Sequence, residues 1–117
     1  MAKPPQIFHV NWFRQGADGK FLWPGFGENM RVLRWILDRC EGKGAAVASP
    51  IGHLPAPGAI DTGGLDVDAA TMAELLDVSR DDWRAEADSI GEFFTKLGAR
   101  LPAEMDRQRR ALVQRLG

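Results

Sequence analysis

Apolar and polar residues alternate near the start of the chain. Residues 7–13 show this alternation, which is the period-two pattern of a strand with one buried face. Residues 15–20 supply the Gly and Asp that turns favour, and residues 20–23 are apolar again. The pattern therefore predicts an N-terminal β-hairpin. The apolar side of its first strand carries Phe8, Val10 and Trp12.

The hydrophobic period changes at residue 28 from that of a strand to that of a helix. Glu28 at the start and Arg39 near the end suit the helix dipole, and Gly42 is predicted to close the helix. Cys40 is interpreted as a small buried apolar side chain rather than a nucleophile. The apolar positions of this helix are Val32, Leu33, Ile36, Leu37 and Cys40.

Residues 42–68 are rich in Gly, Ala and Pro and are interpreted as an extended connection, with a short strand at 49–54. Asp68 is predicted to cap a short helix, and Ser79 with Asp82 resembles a capping box before a longer one. Gly98 suits the end of that helix. Its predicted inner stripe is Trp83, Ala87, Ile90, Phe94 and Leu97, and that of a final helix starting at Pro102 is Met105, Leu112 and Leu116.

These elements predict one α+β domain with an N-terminal β-hairpin followed by about four helices. We expect a disordered start at 1–6, a hairpin with a loop at 7–29, and a mainly helical part at 30–117. A chain of 117 residues with 44% hydrophobic residues fits a single modest core. There is no internal repeat.

Charge and cysteine content narrow the possible functions. The net charge of -1 argues against the basic surface that binds nucleic acid or an anionic membrane. The single Cys cannot form an internal disulfide, and no apolar run approaches the length of a membrane span. The start of the chain lacks the apolar region of a secretory signal. We therefore expect a cytoplasmic protein with no nucleic-acid or membrane partner.

Residues 11–29 hold five aromatic side chains among Gly, Pro and Asn residues. Rings of this kind in a small domain commonly form its core. Here several of them lie in or beside predicted turns, so some rings are expected to face a cleft, where they could hold a base. Both interpretations stay open from the residues alone.

The same segment resembles one family. The runs VNWFR and DGKFLWPGFGENMRVL, followed by Ser49-Pro50-Ile51-Gly52, are similar to the C-terminal, nucleotide-binding segment of GTP-dependent phosphoenolpyruvate carboxykinase. The resemblance continues to the end of the chain. It implies the C-terminal part of the carboxykinase nucleotide-binding domain, from an enzyme that converts oxaloacetate and GTP to phosphoenolpyruvate, GDP and carbon dioxide in gluconeogenesis.

The resemblance also implies a nucleotide site, in which rings stack on guanine while Asn29 reads its edge. Stacking tolerates any base, so selection needs a polar contact, and an amide N–H from Asn29 suits the guanine O6 acceptor. The alternative for Asn29 is an ordinary cap at the start of the helix. Trp12 and Trp23 are expected in the core. The implied nucleotide-binding residues are Phe13, Phe21, Phe26, Gly27, Glu28 and Asn29.

Phosphate and metal chemistry are missing from the sequence. There is no G-x-x-x-x-G-K-[ST] loop, and His9, His53 and Cys40 are not in metal-ligand spacing. The resemblance places the phosphate loop, the substrate site and the ligands of manganese or magnesium upstream in the parent enzyme. We therefore assign no catalytic and no metal residue here, and expect the segment alone to be inactive.

The implied partners are GTP and GDP, the remainder of the parent enzyme and, weakly, a second copy of the segment through surface that the parent would cover. The alternative function is a non-catalytic helical interaction module with an aromatic core. A single-strand binder is a third possibility, but such proteins pair stacking rings with a basic groove, which the near-neutral charge does not supply.

Overall fold

The computed structural model describes residues 3–117, and within them it confirms the α+β class. The helices and strands, in chain order, are a 3-10 turn at Phe26–Glu28, α1 at Asn29–Cys40, β1 at Ala46–Ser49, β2 at Gly52–Pro55, α2 at Ala69–Leu76, α3 at Arg80–Leu97, a second 3-10 turn at Gly98–Arg100, and α4 at Ala103–Leu116. Of the disordered start predicted at 1–6, residues 1 and 2 lie outside the described part.

The chain divides into two compact units. We call residues 3–47 with Leu54–Asp77 the aromatic unit, and Ala48–His53 with Val78–Gly117 the helical unit. None of the helices in residues 3–117 has the length and apolar character needed to cross a membrane.

The predicted N-terminal hairpin is wrong. Residues 7–13 form no strand, and the only ladder contact of the stretch is an isolated antiparallel bridge between Gln15 and Phe21. The alternation itself is real, because Phe8 and Trp12 pack against the core. The Asn11 side chain accepts a hydrogen bond from the backbone N–H of Phe13 at 3.0 Å, a local turn that ends the extended stretch before it can pair.

The core of the aromatic unit is built on two tryptophans. Trp23, Trp35 and Ile60 are buried together, and the Phe8 ring meets Trp35 edge-on, with centroids 6.2 Å apart and planes at 84°. The Trp35 indole N–H donates to the carbonyl of Ala45 at 3.0 Å, so its polar atom is satisfied inside the core. Large rings thus replace the missing strands as the packing units of this region.

Helix α1 has an apolar inner face and an apolar outer face. Val32, Trp35 and Ile36 pack inward, whereas Cys40 is exposed, so the prediction of a buried Cys40 is wrong. The predicted apolar positions drew on both faces and omitted Trp35, because apolar residues occupy more than one stripe of the helix. We call the exposed set the outer stripe of α1, and it consists of Met30, Leu33, Leu37 and Cys40.

The single strand predicted at 49–54 is a two-stranded antiparallel sheet instead, formed by β1 and β2. The residues between the strands are Pro50 and Ile51. Ser49 Oγ donates to the carbonyl of Gly52 at 2.7 Å, and Gly52 has a φ of 131° that other residues resist. Pro and Gly therefore fold back a segment that the pattern read as continuous.

The predicted caps of α2 and α3 are confirmed. The Asp68 carboxylate accepts from the backbone N–H of Thr71 at 2.8 Å, and this hydrogen bond lowers the pKa of Asp68 below its usual value. Ser79 Oγ accepts from the backbone N–H of Asp82 at 3.2 Å. Gly98 follows α3 with a φ of 55°, as its predicted place at the helix end requires.

The helical unit is a pair of packed helices, α3 and α4. Ala87 of α3 and Leu116 of α4 are fully buried, but the predicted inward position of Met105 is wrong, since that side chain is exposed. Arg109, in the middle of α4, is partly buried instead. Its guanidinium lies 3.3 Å from where a Cβ of Gly91 would stand, so the missing side chain makes room for it.

Candidate functional site

Two of the predicted site residues, Phe13 and Phe21, form a ring pair at the base of the loop that the Gln15 and Phe21 bridge closes. The centroids of Phe13 and Phe21 are 5.7 Å apart, with their planes inclined at 57°. The loop is tight, since Gly16 N donates to the carbonyl of Lys20 at 2.9 Å. The two rings are 69% and 58% exposed. They shield each other only partly and present open faces to solvent.

Phe26 stands apart from this pair. Its side chain is 98% exposed and its φ is 45°, the left-handed region that non-glycine residues with a Cβ seldom occupy. Gly25 before it also has a positive φ, of 75°. Among residues 3–117 the ring pairs are Phe8 with Trp35 and Phe13 with Phe21, so Phe26 has no aromatic neighbour. A strained backbone here holds a fully hydrated ring.

Asn29 is the first residue of α1, and its side chain does not cap that helix. Instead its Oδ1 accepts a hydrogen bond from the indole Nε1 of Trp23 at 2.9 Å. Trp23 is 5% exposed and lies in the core as predicted. The core of the aromatic unit is thus joined directly to the residue predicted to read the base.

Glu28 and Gly27 complete the predicted set. The Glu28 carboxylate pairs with Arg31 Nε at 2.6 Å, and Arg31 Nη1 donates to the carbonyl of Asp61 at 3.0 Å. A Cβ at Gly27 would meet no atom within 4 Å. Glu28 therefore fixes the 3-10 turn to the rest of the aromatic unit. The space around position 27 would admit a side chain, so steric crowding within this chain does not explain the glycine there.

A residue that the sequence interpretation missed anchors the aromatic loop. Arg14, next to Phe13, donates from Nη1 to the carbonyl of Leu75 at 3.1 Å and to that of Asp77 at 2.9 Å. These carbonyls lie at the end of α2, where helix carbonyls lack partners. The sequence pattern around Arg14 gives no indication of this contact, because its partners lie more than sixty positions further along the chain.

The aromatic unit also contains an apolar cavity of about 310 Å³. None of the six predicted site residues lines it. Its walls include Val47, Leu54, Ile60, Met72 and Leu76. The cavity offers few polar groups to orient a nucleotide, so we place the candidate site at the exposed rings rather than there.

Metal binding has no support within residues 3–117, where no three His, Cys, Asp or Glu side chains gather closely enough to hold an ion. Glu28, two residues after Phe26, is already paired with Arg31. What the arrangement can do chemically is stack on a flat, apolar group and donate or accept one hydrogen bond beside it.

Comparison with known proteins defines the class. Residues 1–115 match the family described as phosphoenolpyruvate carboxykinase C-terminal P-loop domain. Because this match covers nearly the whole chain, the chain belongs to that family, as the runs around residues 11–29 indicated.

Individual relatives of the chain are named as GTP-dependent enzymes of this family. The chain is 51% identical over 116 residues to the phosphoenolpyruvate carboxykinase [GTP] of Neocallimastix frontalis, covering 98% of this chain and 19% of that protein. It is 46% identical to the corresponding protein of Anaeromyxobacter dehalogenans, with 97% and 19% covered. It is 44% identical to the cytosolic one of Gallus gallus, with 98% and 18% covered. The chain spans about a fifth of the length of these relatives.

Proposed function

We propose that residues 11–29 form the guanine-binding wall of a GTP-dependent phosphoenolpyruvate carboxykinase, which converts oxaloacetate and GTP to phosphoenolpyruvate, GDP and carbon dioxide. One observation carries the proposal. The three phenylalanines implied by the resemblance, Phe13, Phe21 and Phe26, are 58% to 98% exposed, whereas the tryptophans of the same segment pack in or against the core. Exposed rings on a braced loop are suited to stack on a base.

Guanine selection falls to Asn29 in this proposal. Stacking contributes about 1–3 kcal/mol per base and does not distinguish purines. A donor at the base edge does, because guanine presents an acceptor at O6 where adenine presents an amino group. Asn29 lies three residues after Phe26, the ring of the 3-10 turn, and its polar side chain is at the edge of the core.

The phosphate and metal steps belong to other parts of the enzyme. In this proposal the manganese or magnesium ion that the resemblance implies takes its ligands from outside this segment. Binding and orienting the guanine base is what this segment contributes. The segment alone is therefore expected to lack carboxykinase activity, since phosphoryl transfer depends on positioned charges that it does not supply.

The remainder of the enzyme is the proposed main partner of the segment. Met30, Leu33 and Leu37 in the outer stripe of α1 are exposed apolar side chains, and four fifths of the relatives' length lies outside the matched region. Exposed stripes of this kind mark contact surfaces. We place the enzyme in the cytoplasm, where the name of the chicken relative places that protein. The alternative of a free-standing interaction module is not favoured, because the family match runs through residues 1–115.

Nitrogen–proton correlation spectra of the 117-residue chain, titrated separately with GTP, ITP and ATP, test the proposal. We expect shifts at Phe13, Phe21, Phe26 and Asn29 and millimolar affinity. Two stacking contacts of about 1–3 kcal/mol each and one polar contact of about 1 kcal/mol reach roughly the 4.1 kcal/mol of a 1 mM complex. Shifts confined to the helical unit would contradict the site.

A full-length carboxykinase carrying this segment gives the sharper test. Phe26→Ala is expected to raise the KM for GTP and for ITP alike, because a stacking surface is lost for any base. Phe93→Ala is the matched control, since Phe93 is also exposed, at 56%, but lies on α3 of the helical unit. Equal effects of the two substitutions would count against the aromatic loop as the base site.

Self-association of the isolated segment is also proposed, through the outer stripe of α1. Sedimentation at high concentration should show weak dimers, and Leu37→Glu should abolish them because it places a charge in the stripe. A strict monomer at every concentration would show that the stripe is too small to associate.

A further inference from the structure

The hydrogen bond between Trp23 and Asn29 fixes which end of the Asn29 carboxamide faces outward. An indole N–H can only donate, so the group 2.9 Å from Trp23 Nε1 must be the carboxamide oxygen, Oδ1. The amide nitrogen then points away from the core. The orientation follows from chemistry rather than from a choice between two similar atoms.

The outward nitrogen is free to meet a ligand. Within residues 3–117, the Asn29 side chain makes one hydrogen bond, which its Oδ1 accepts from Trp23, and Nδ2 makes none. Every buried side-chain nitrogen or oxygen atom among these residues has a hydrogen-bond partner. Nδ2 is therefore in contact with solvent. Its two N–H groups are donors, and a carboxamide held in this way presents no acceptor in their direction.

We propose that Trp23 is a positioning residue that sets base selection by holding Oδ1 of Asn29, so that only the Nδ2 donors face the nucleotide. This inference rests on the proposed guanine site. A base with a keto oxygen at C6, guanine or hypoxanthine, accepts from Nδ2, whereas the C6 amino group of adenine would face a second donor. Two opposed donors leave both unpaired in the complex, which is how a polar site rejects an analogue.

Trp23 supplies what a freely rotating asparagine lacks. Without the indole N–H, the carboxamide can turn by 180° and offer Oδ1 to the adenine amino group, so discrimination falls. Trp23 is buried with Trp35 and Ile60, and the anchor therefore moves little. The selection of the base is in this way tied to the packing of the core rather than to the loop alone.

The test is made in a full-length carboxykinase carrying this segment, with kcat and KM measured for GTP, ITP and ATP. Trp23→Phe keeps a ring in the core and removes the N–H. We expect the GTP to ATP and ITP to ATP ratios of kcat/KM each to fall about five- to tenfold, through KM rather than kcat. The ITP to GTP ratio should not change, since the two bases share the keto oxygen.

Trp35→Phe is the matched control. It removes an indole N–H from the same core, one that donates to the carbonyl of Ala45 and not to Asn29. A merely structural role for Trp23 predicts that both substitutions lower stability and leave the nucleotide ratios alone. Positioning predicts that only Trp23→Phe changes the ratios, whatever the two stabilities are.

Asn29→Asp separates failure of this inference from failure of the proposed site, and it serves if Trp23→Phe does not fold. The substitution keeps an acceptor for Trp23 and replaces the outward donors by an acceptor, so the GTP to ATP ratio should fall at least as far as with Trp23→Phe. If Asn29→Asp changes the ratio and a folded Trp23→Phe does not, the positioning role is wrong. If neither Asn29→Asp nor Phe26→Ala changes any nucleotide KM, the site itself is wrong, and this inference is overturned with it.

Discussion

The two units of the chain are stabilised in different ways. In the aromatic unit, buried tryptophans and side chains that donate to distant backbone carbonyls hold an irregular chain, as Arg14 does at Leu75 and Trp35 at Ala45. In the helical unit, two long regular helices pack together, and Arg80 and Arg84 of α3 donate to the carbonyl of Leu116 at the end of α4.

The difference corresponds to what each unit presents. An exposed ring with a positive φ, such as Phe26, is unfavourable unless the surrounding structure enforces it. Long-range hydrogen bonds can impose such a backbone, whereas a regular helix cannot adopt it. The helical unit is regular through α3 and α4, and burial, caps and the arginine contacts from α3 to the end of α4 stabilise it. We infer that an irregular backbone is what allows the aromatic unit to expose these rings, as the proposed base site requires.

Trp35→Ala is expected to have the largest effect on stability, about 3–5 kcal/mol, because it empties the centre of the aromatic unit. Urea unfolding followed by circular dichroism measures it. Leu37→Ala, on the exposed side of the same helix, should stay within about 0.5 kcal/mol. Similar costs for both would mean that the tryptophan core does not hold this unit together.

Leu116→Ala should cost about 2–3 kcal/mol, since Leu116 is fully buried and its removal leaves a cavity against α3. The value lies at the lower end for leucine because a helix end can relax into the space. Val113→Ala, at an exposed position of α4, is the control and should be nearly neutral. If the two units unfold separately, Leu116→Ala will shift only the transition of the helical unit.

Arg14→Ala is expected to cost about 1–2 kcal/mol, because two carbonyls lose a charged donor. Arg34→Ala is the matched control, since the Arg34 side chain is largely exposed and pairs with Asp38 four positions along α1, a contact worth about 0.3–0.5 kcal/mol. Amide exchange should also quicken at residues 13–22 in Arg14→Ala alone. Unchanged exchange there would contradict its anchoring role.

The smallest effect concerns pH and the cap of α2. The pKa of Asp68 is lowered in the folded chain by the hydrogen bond from Thr71, so its contribution to stability is complete above the ordinary carboxyl pKa and is lost as pH falls through the lowered one. Exchange protection of α2 should therefore weaken in acid. Asp68→Asn keeps a capping oxygen that does not titrate and should remove this pH dependence, while an unchanged acid response would assign it to another group.

The helices were largely predictable from the sequence, and the loop was not. The stripe from Trp83 to Leu97 and the caps at Asp68 and Ser79 follow from spacing and local hydrogen bonding, which act within a few residues. The strand expected at 7–13 failed because alternation reports burial on one side and says nothing of a partner strand.

The candidate site, too, was predictable only in part. The resemblance named Phe13, Phe21, Phe26 and Asn29, and the structure places the first two rings together and Asn29 on Trp23. Neither the Trp23 contact nor the Arg14 contact has a periodic signal, because each depends on how irregular segments meet in space. The errors at Cys40 and Met105 arose where a helix has two apolar faces or where a glycine admits an arginine.

The placement of the tryptophans makes the chain its own optical reporter. It has four Trp and no Tyr, and Trp83 is the only one in the helical unit, the others belonging to the aromatic unit. A chain in which Trp12, Trp23 and Trp35 are replaced by Phe would emit from Trp83 alone, and the converse Trp83→Phe chain from the aromatic unit alone. Red shifts of the two emission spectra on denaturation would therefore follow each unit separately, without any attached dye.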